Sequence, residues 1–328
     1  MEIALPYIEY DQTHFNNGSD YLEQLLESVN QLEAGLDTKA LSHLCLVESK
    51  DTESHSDERS KRLFNTGLSL GMTWTRFLEN WNFALRADEI CTEENTVMVE
   101  VASGKGYLSR ILCNHFKRRV ICIDRNWIKN KSSLHVHRLV NGDELRLASR
   151  ASASGKTTAS GHERLHTVQS DLQTPDDLIG ILRESQKLIG MDSRVGWKNG
   201  VLTPVNVPSV CLVGLNLCGD LAITAVKSWL AAWSDPGSLG FPLELGPVLV
   251  SPCCYHERSE FPLSKRFRQR LGSDQSLILK TTPESGIYGF VRSVALVDLA
   301  LYMCELGFDD VKVKTNGISA GFGARTPK

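Results

Sequence analysis

The chain lacks any run of about 18 apolar residues, the minimum for a helix that crosses a bilayer. Its opening, MEIALPYIEYDQTH, has neither the basic start nor the apolar stretch of a secretory leader. No membrane span, leader or membrane partner is therefore expected. Charge of either sign is not in excess: 36 Lys and Arg stand against 39 Asp and Glu, a net −3. No global basic field marks a nucleic-acid binder, so any such surface has to be local. Regular cysteine spacing is also missing. The nine cysteines are an odd number without a single C-x-x-C pair, which argues against a disulfide framework. Reduced, mostly buried thiols in a cytoplasmic or nuclear protein are expected instead. A phosphate loop is absent too: Gly155-Lys156-Thr157-Thr158 has Arg150 where that motif needs its first glycine, and no strand precedes it.

The residues that are present suit a packed soluble fold, with 41% hydrophobic and 23% charged residues. Residues 18–35 place Leu22, Leu25, Leu26, Val29 and Leu32 at helical spacing. Residues 48–62 are polar throughout and read as a linker. From Phe64 to Leu85 aromatic residues (Trp74, Phe77, Trp81, Phe83) predict one or two helices packing onto the next part of the chain. The expected organisation is a helical N-terminal extension, 1–93, followed by a second unit, 94–328.

That second unit alternates short apolar runs with helix-like segments. The runs are VMVEVA (97–102), VICID (120–124), LHTVQSD (165–171), VCLVGLNL (210–217), VLVS (248–251) and VKVKT (311–315). Several are continuous rather than alternating, as in strands buried on both faces. The predicted fold class is α/β, a doubly wound and mostly parallel sheet. Residues 141–164, rich in Ser, Ala, Gly and Thr, read as a flexible insertion.

The stretch VMVEVASGKGYLSR (97–110) concentrates the chemistry. A carboxylate, Glu100, interrupts an apolar strand, and Ala102, Ser103, Gly104 and Gly106 then form a turn almost without side chains. Such a turn lets a ligand approach the backbone at a helix N-terminus. A side chain at Gly106 is expected to enter the ligand's path. Asp124 ends the next strand 20 residues after Gly104, where a ribose hydroxyl pair wants an acceptor. Dinucleotides and S-adenosylmethionine share this geometry. The dinucleotide fingerprint fails at its third glycine, which is Ser109. A buried carboxylate costs several kcal/mol unless satisfied, so Glu100 implies either a cationic ligand or an ion pair with a nearby Lys or Arg.

Glu100 to Gly106, E-V-A-S-G-K-G, resembles motif I of class I methyltransferases, E/D-x-G-x-G-x-G, with Ala102 at a family glycine. That resemblance implies S-adenosylmethionine (SAM) as cofactor, with Glu100 near its amino group, Ala102, Ser103, Gly104 and Gly106 against it, and Asp124 at the ribose. It also implies Asp171 and Leu172 beside the adenine, and Asn216 lining the site. GKGYLSRIL, GLNLCGDLA and VSPCCYHERSEFPLSKRF further resemble the methyltransferase-like protein twenty-five family and its ribosomal RNA adenine dimethylase domain-containing relatives, over about residues 97–305. A more distant likeness is to tRNA 2′-O-methyltransferases with K-H-L-C-G and C-C-H-H segments. Asn216 departs from the family histidine, and the tail stops where the family continues, leaving no clear seventh strand.

The implied activity is SAM-dependent methyl transfer, with Asn216, Cys218, Asp220 and Tyr255 as candidate catalytic residues and RNA favoured over protein as acceptor. The alternative is an inactive binding module of the same fold, which Asn216 favours. Asp220 can also be a helix N-cap, and Tyr255 a core aromatic. Cys218, Cys253, Cys254 and His256 invite a metal, but consecutive cysteines on a strand point to opposite faces, so no metal is expected. Arg258, Lys265, Arg266, Arg268 and Arg270, interleaved with Phe261 and Phe267, form a candidate RNA-binding lip or else a solvated helix face.

Overall fold

The computed structural model describes residues 45–48, 60–91, 93, 96–151, 164–189, 195–198, 201–204, 207–254, 257–265, 268–269, 295, 298–299, 301–303, 305–316 and 319–325. The predicted helix at 18–35, together with Tyr255, His256, Arg266, Phe267 and Arg270, lies outside them.

Four parallel crossovers build the centre of the sheet. Strand β1 (Cys45–Glu48) precedes helix α1 (Trp74–Ile90), and β2 (Val97–Val101) leads through a tight turn into α2 (Tyr107–Asn114). Then come β3 (Arg119–Asp124), α3 (Trp127–Ala151), β4 (Leu165–Gln169) and α4 (Pro175–Glu184). A separate antiparallel hairpin comes next, β5 (Val195–Lys198) and β6 (Val201–Pro204). The chain then returns through β7 (Ser209–Cys218), α5 (Leu221–Ser234) and β8 (Glu244–Cys253), and ends in β9 (Asp309–Asn316) and β10 (Ser319–Arg325).

The sheet order is β1-β9-β10-β8-β7-β2-β3-β4. β2 pairs in parallel with β3 on one side and β7 on the other, so the winding reverses there and a crevice opens off the carboxyl ends of these strands. The doubly wound, mostly parallel sheet is the one the sequence predicts. Three elements differ from expectation. A strand, β1, lies within the segment expected to be helical, pairing with β9. Helix α3 runs to Ala151, into the proposed insertion. The tail, expected to lack a seventh strand, folds back as β10, antiparallel to both β9 and β8. Its Ala-Gly-Phe-Gly-Ala sequence hides that strand from any hydrophobic-pattern reading.

Both faces of the sheet are covered. Val97, Val99 and Val101 enter one core with Ile121, Leu212, α4 and α5. Met98 enters the other with Val120, Val213, α1 and α2. Period-two alternation therefore sends Glu100 to the α1/α2 face. The aromatic segment packs as expected: Phe64 meets Trp74 edge-on at 5.2 Å, Phe77 stacks on Trp81, and Trp81 reaches Phe116 at 5.7 Å. Arg118 locks the end of α1 to the sheet, donating to Asp88 (2.7 Å) and to the carbonyls of Glu93 and Cys91. α1 is thus a layer of the sheet domain. Helix α4 starts on a capping box, with Thr174 and Gln173 amides donating to Asp177 and Pro175 at its first position.

On the opposite layer Trp229 of α5 is fully buried and donates its indole N–H to the Gly246 carbonyl at 3.2 Å. Trp229→Ala is expected to cost about 3–5 kcal/mol, most of it cavity formation. Trp229→Phe keeps much of the packing and should lose mainly the hydrogen bond, about 1 kcal/mol. Urea denaturation separates the two, and equal losses would show that packing is not the dominant contribution.

Candidate functional site

Glu100 sits in the middle of β2, only 4% exposed. Its carboxyl accepts from the Ser109 hydroxyl on α2, and the Cys122 thiol of β3 lies 3.9 Å from it. No ion pair reaches it among the described residues. Arg110, the adjacent buried cation on α2, stands over the Tyr107 ring at 5.4 Å, its guanidinium nitrogens without a hydrogen-bond partner among the described residues. Among the described residues, the ion-pair reading of Glu100 finds no partner. Burial, reinforced by the neighbouring Asp124 charge and only partly offset by Ser109, pushes its acid up to about 8. This group is therefore mostly protonated at neutral pH. Ser109, read in the sequence as a defect in a dinucleotide fingerprint, is the residue that holds Glu100.

The turn above it is built from left-handed residues: Ala102 (φ 55°), Gly104 (56°) and Gly106 (66°). Ala102 takes up without glycine's freedom a conformation that costs a residue with a Cβ about 1–2 kcal/mol. Asp124, the last residue of β3, ties the turn down: one carboxylate oxygen accepts from the Gly104 amide and the other from the Asn126 amide, both at 2.8 Å. Ser103 is buried, and its amide donates to the Ile123 carbonyl at 3.0 Å.

The two glycines do different jobs. A Cβ on Gly104 would meet nothing nearer than the Ala102 carbonyl at 3.9 Å, so this position borders open space. A Cβ on Gly106 would fall 1.8 Å from Ser133 Oγ and 2.9 Å from Ser133 Cβ, on α3. Besides entering the ligand's path as the sequence predicts, a Gly106 side chain would collide with α3. Gly106 permits helix packing, and Gly104 permits approach to the backbone.

Asp171 is exposed at the rim just past β4, accepting from the Gln173 side chain at 3.0 Å, and Leu172 beside it is buried. At the end of β7, Asn216 adopts φ 60° where the pairing with β8 slips, a bulge that turns its amide toward α1, where it donates to Glu79 at 3.0 Å. Asp220 does not cap α5 with its side chain; both its oxygens accept from the Ser259 amide at 3.0 and 3.1 Å. It pins the segment after β8 against the end of β7, which neither sequence reading of Asp220 anticipates.

Of the seven described thiols, Cys91, Cys113, Cys122 and Cys211 are buried, while Cys218, Cys253 and Cys254 gather at the ends of β7 and β8. The expected basic lip is only partly a lip. Arg258 is 3% exposed and donates to the Ala295 carbonyl; Arg268 pairs with Glu260 at 2.5 Å; Lys265 is exposed. Glu79, Ser133 and Ser259 carry no motif signal, since only the tertiary fold brings them to the site.

The division of labour between the glycines is testable by stability alone. Gly106→Ala should lose about 1–3 kcal/mol through overpacking against Ser133 on top of backbone strain. Gly104→Ala should lose only the strain, about 1–2 kcal/mol. Chemical denaturation of both variants checks this; a Gly104→Ala loss as large as that of Gly106→Ala would contradict the assignment.

Residues 82–260 match a family profile described as a methyltransferase domain. No curated protein matches the chain. Among solved structures, a protein of Nostoc punctiforme assigned as an O-methyltransferase is similar at 10% identity, covering 93% of this chain and 71% of that one, with a TM-score of 0.37. A SAM-dependent methyltransferase from Aquifex aeolicus is similar at 11% identity, covering 82% of this chain and 97% of that one, also with a TM-score of 0.37. No helix among the described residues is long and apolar enough to cross a membrane. The profile takes in more than half of the chain, including β2 with Glu100, the glycine turn, Asp124 and the ends of β7 and β8, and the chain belongs to the methyltransferase-domain family.

Proposed function

We propose that the chain is a SAM-dependent methyltransferase acting on RNA, in the manner of the methyltransferase-like protein twenty-five family it resembles. The observation that carries the cofactor reading is Glu100, a buried carboxyl with no cation partner among the described residues, beneath a glycine turn open at Gly104. When bound, SAM supplies an electrophilic methyl group on a sulfonium. The chain's own residues then bind and orient. Glu100 balances a cationic group, Gly104 admits the ligand to the turn, Asp124 offers its carboxylate to ribose hydroxyls, and Asp171 with Leu172 receives the base. Methyl transfer of this kind draws most of its rate from holding donor and acceptor in near-attack geometry, so the absence of a general-base histidine at Asn216 does not disqualify the site.

An RNA acceptor is supported by a second basic surface that the sequence reading passed over. Directly after Asp124, exposed Arg125, Lys129 and Lys131 flank Trp127 in the sequence; Trp127 is 56% exposed, with the Lys131 ammonium 5.9 Å from the indole ring centre. Cations interleaved with an exposed aromatic suit phosphates and an unstacked base. The alternative, an inactive module of the same fold, rests on Asn216, whose amide is engaged by Glu79.

Two measurements decide. In calorimetric titrations, SAM affinity should rise with pH from about 6 to about 8 and level off above, by at most about tenfold per unit, because ligand binding must ionise a group that is otherwise protonated below about 8. Glu100→Gln should flatten that slope and weaken binding about 10- to 100-fold above pH 8. A wild-type slope unchanged in Glu100→Gln would remove Glu100 from the site. Transfer of labelled methyl from SAM into total RNA, and not into total protein, is the expected second result. Binding without transfer into either fraction would overturn the RNA acceptor and support the inactive module.

A further inference from the structure

Three sulfurs converge where β7 and β8 end. Cys218, the last residue of β7, is the register partner of Cys253, the last residue of β8. Their Sγ atoms are 3.1 Å apart, the Sγ of Cys254 is 3.5 Å from that of Cys218, and all three lie within 4.8 Å of one another. Consecutive residues of a regular strand point to opposite faces, but the backbone here departs from a regular strand. Cys254 adopts φ 50°, a left-handed conformation that costs about 1–2 kcal/mol without glycine, and the alternation ends one residue early. Cys253 and Cys254 therefore direct their sulfurs into the same space.

That space is close to the size of a thiolate-bound ion. Ligands about 2.3 Å from a tetrahedral zinc stand about 3.8 Å from one another, and the sulfurs of Cys253 and Cys254, at 3.1 and 3.5 Å from that of Cys218, need move apart by only about 0.3–0.7 Å to reach it. A disulfide would bring two sulfurs to about 2.05 Å and leave the third without a role. The strand ends are also fixed to each other independently of the sulfurs: the Gly219 amide donates to the Cys253 carbonyl at 3.3 Å, and Asp220 holds the Ser259 amide. Cys218 is exposed, so an ion held by the three sulfurs is reachable from solvent at its fourth position, as in sites that exchange a water or a substrate atom.

We propose that Cys218, Cys253 and Cys254 form a zinc site with one exchangeable position, at the carboxyl ends of β7 and β8. This rests on the sulfur geometry and stands whether or not the chain transfers methyl groups. The experiment uses the full-length reduced chain, stripped with a chelator and titrated with Zn2+ against a competing chromophoric chelator, and in parallel with Co2+. The expected result is about one equivalent of zinc per chain and a cobalt adduct showing sulfur-to-cobalt charge transfer in the near ultraviolet. Cys253→Ser should lower zinc affinity at least about tenfold. Cys218→Ser, at an exposed position, should do the same and covers the case in which Cys253→Ser fails to fold; Cys113→Ser should leave affinity unchanged. The proposal is overturned if the stripped chain takes up no zinc and shows no charge-transfer band while its thiols remain titratable. It is equally overturned if zinc binding survives Cys218→Ser, or if mass spectrometry finds Cys218 and Cys253 joined as a disulfide in a chain that binds no metal.

Discussion

A carboxyl group buried in the central strand is the constraint around which this site is arranged. Every other side chain of β2 is apolar and buried, and an uncompensated carboxylate there would cost several kcal/mol. The protein meets the problem by keeping the group protonated when empty and by placing one hydroxyl, Ser109, against it. This choice propagates. The helix after the turn carries a serine where a dinucleotide fold would place a glycine, and β3 carries the small Cys122, whose thiol lies 2.8 Å from the Ser109 hydroxyl. Asp124, two residues further along β3 on the same face, holds the turn through the Gly104 amide. An acid, a serine, a thiol and a second acid form one coupled set across three elements.

The N-terminal aromatic helix belongs to the same device. α1 covers the face of the sheet into which Glu100 points, and its polar edge supplies Glu79 to Asn216 at the end of β7. Arg118 ties the carbonyls that close α1 to the start of β3, which fixes the helix over the buried acid. Cys91, capping α1, meets Cys211 of β7 sulfur to sulfur at 2.6 Å in the same layer. The segment is therefore a wall of the site, not an appendage to it.

How much of this was legible in the sequence depends on the kind of signal each part leaves. Continuous apolar runs with strand length announced β2, β3, β7 and β8, because strands buried on both faces have no polar face to show. The acid, glycines and Asp124 stood in register because they lie on one strand–turn–helix–strand unit, where sequence distance and spatial distance coincide. β1 and β10 were not legible: β1 is four residues long and pairs with a strand far along the chain, and β10 is a Gly- and Ala-rich segment defined by its partners. Arg258 read as a surface cation because composition does not report burial; its guanidinium serves the Ala295 carbonyl. The packing role of Gly106 was not legible either, because glycine's two uses, admitting a ligand and admitting another helix, look the same until Ser133 is placed against it.

The remaining misreading has a single physical source. Three of the strand ends at the crevice are closed by a residue in the left-handed region: Ala102 after β2, Asn216 near the end of β7 and Gly219 after it, and Cys254 after β8. Three of these carry side chains and hold the conformation at a cost. Strain of this sort persists only where the surrounding structure over-determines it, and it concentrates at functional sites. Here its effect is geometric. At Asn216 the left-handed backbone turns the amide toward Glu79 of α1, and at Cys254 it breaks the period-two rule so that its sulfur joins those of Cys218 and Cys253. Alternation predicts side-chain direction well inside a strand, and it fails at the carboxyl ends, the one edge where a parallel sheet of this topology assembles its chemistry.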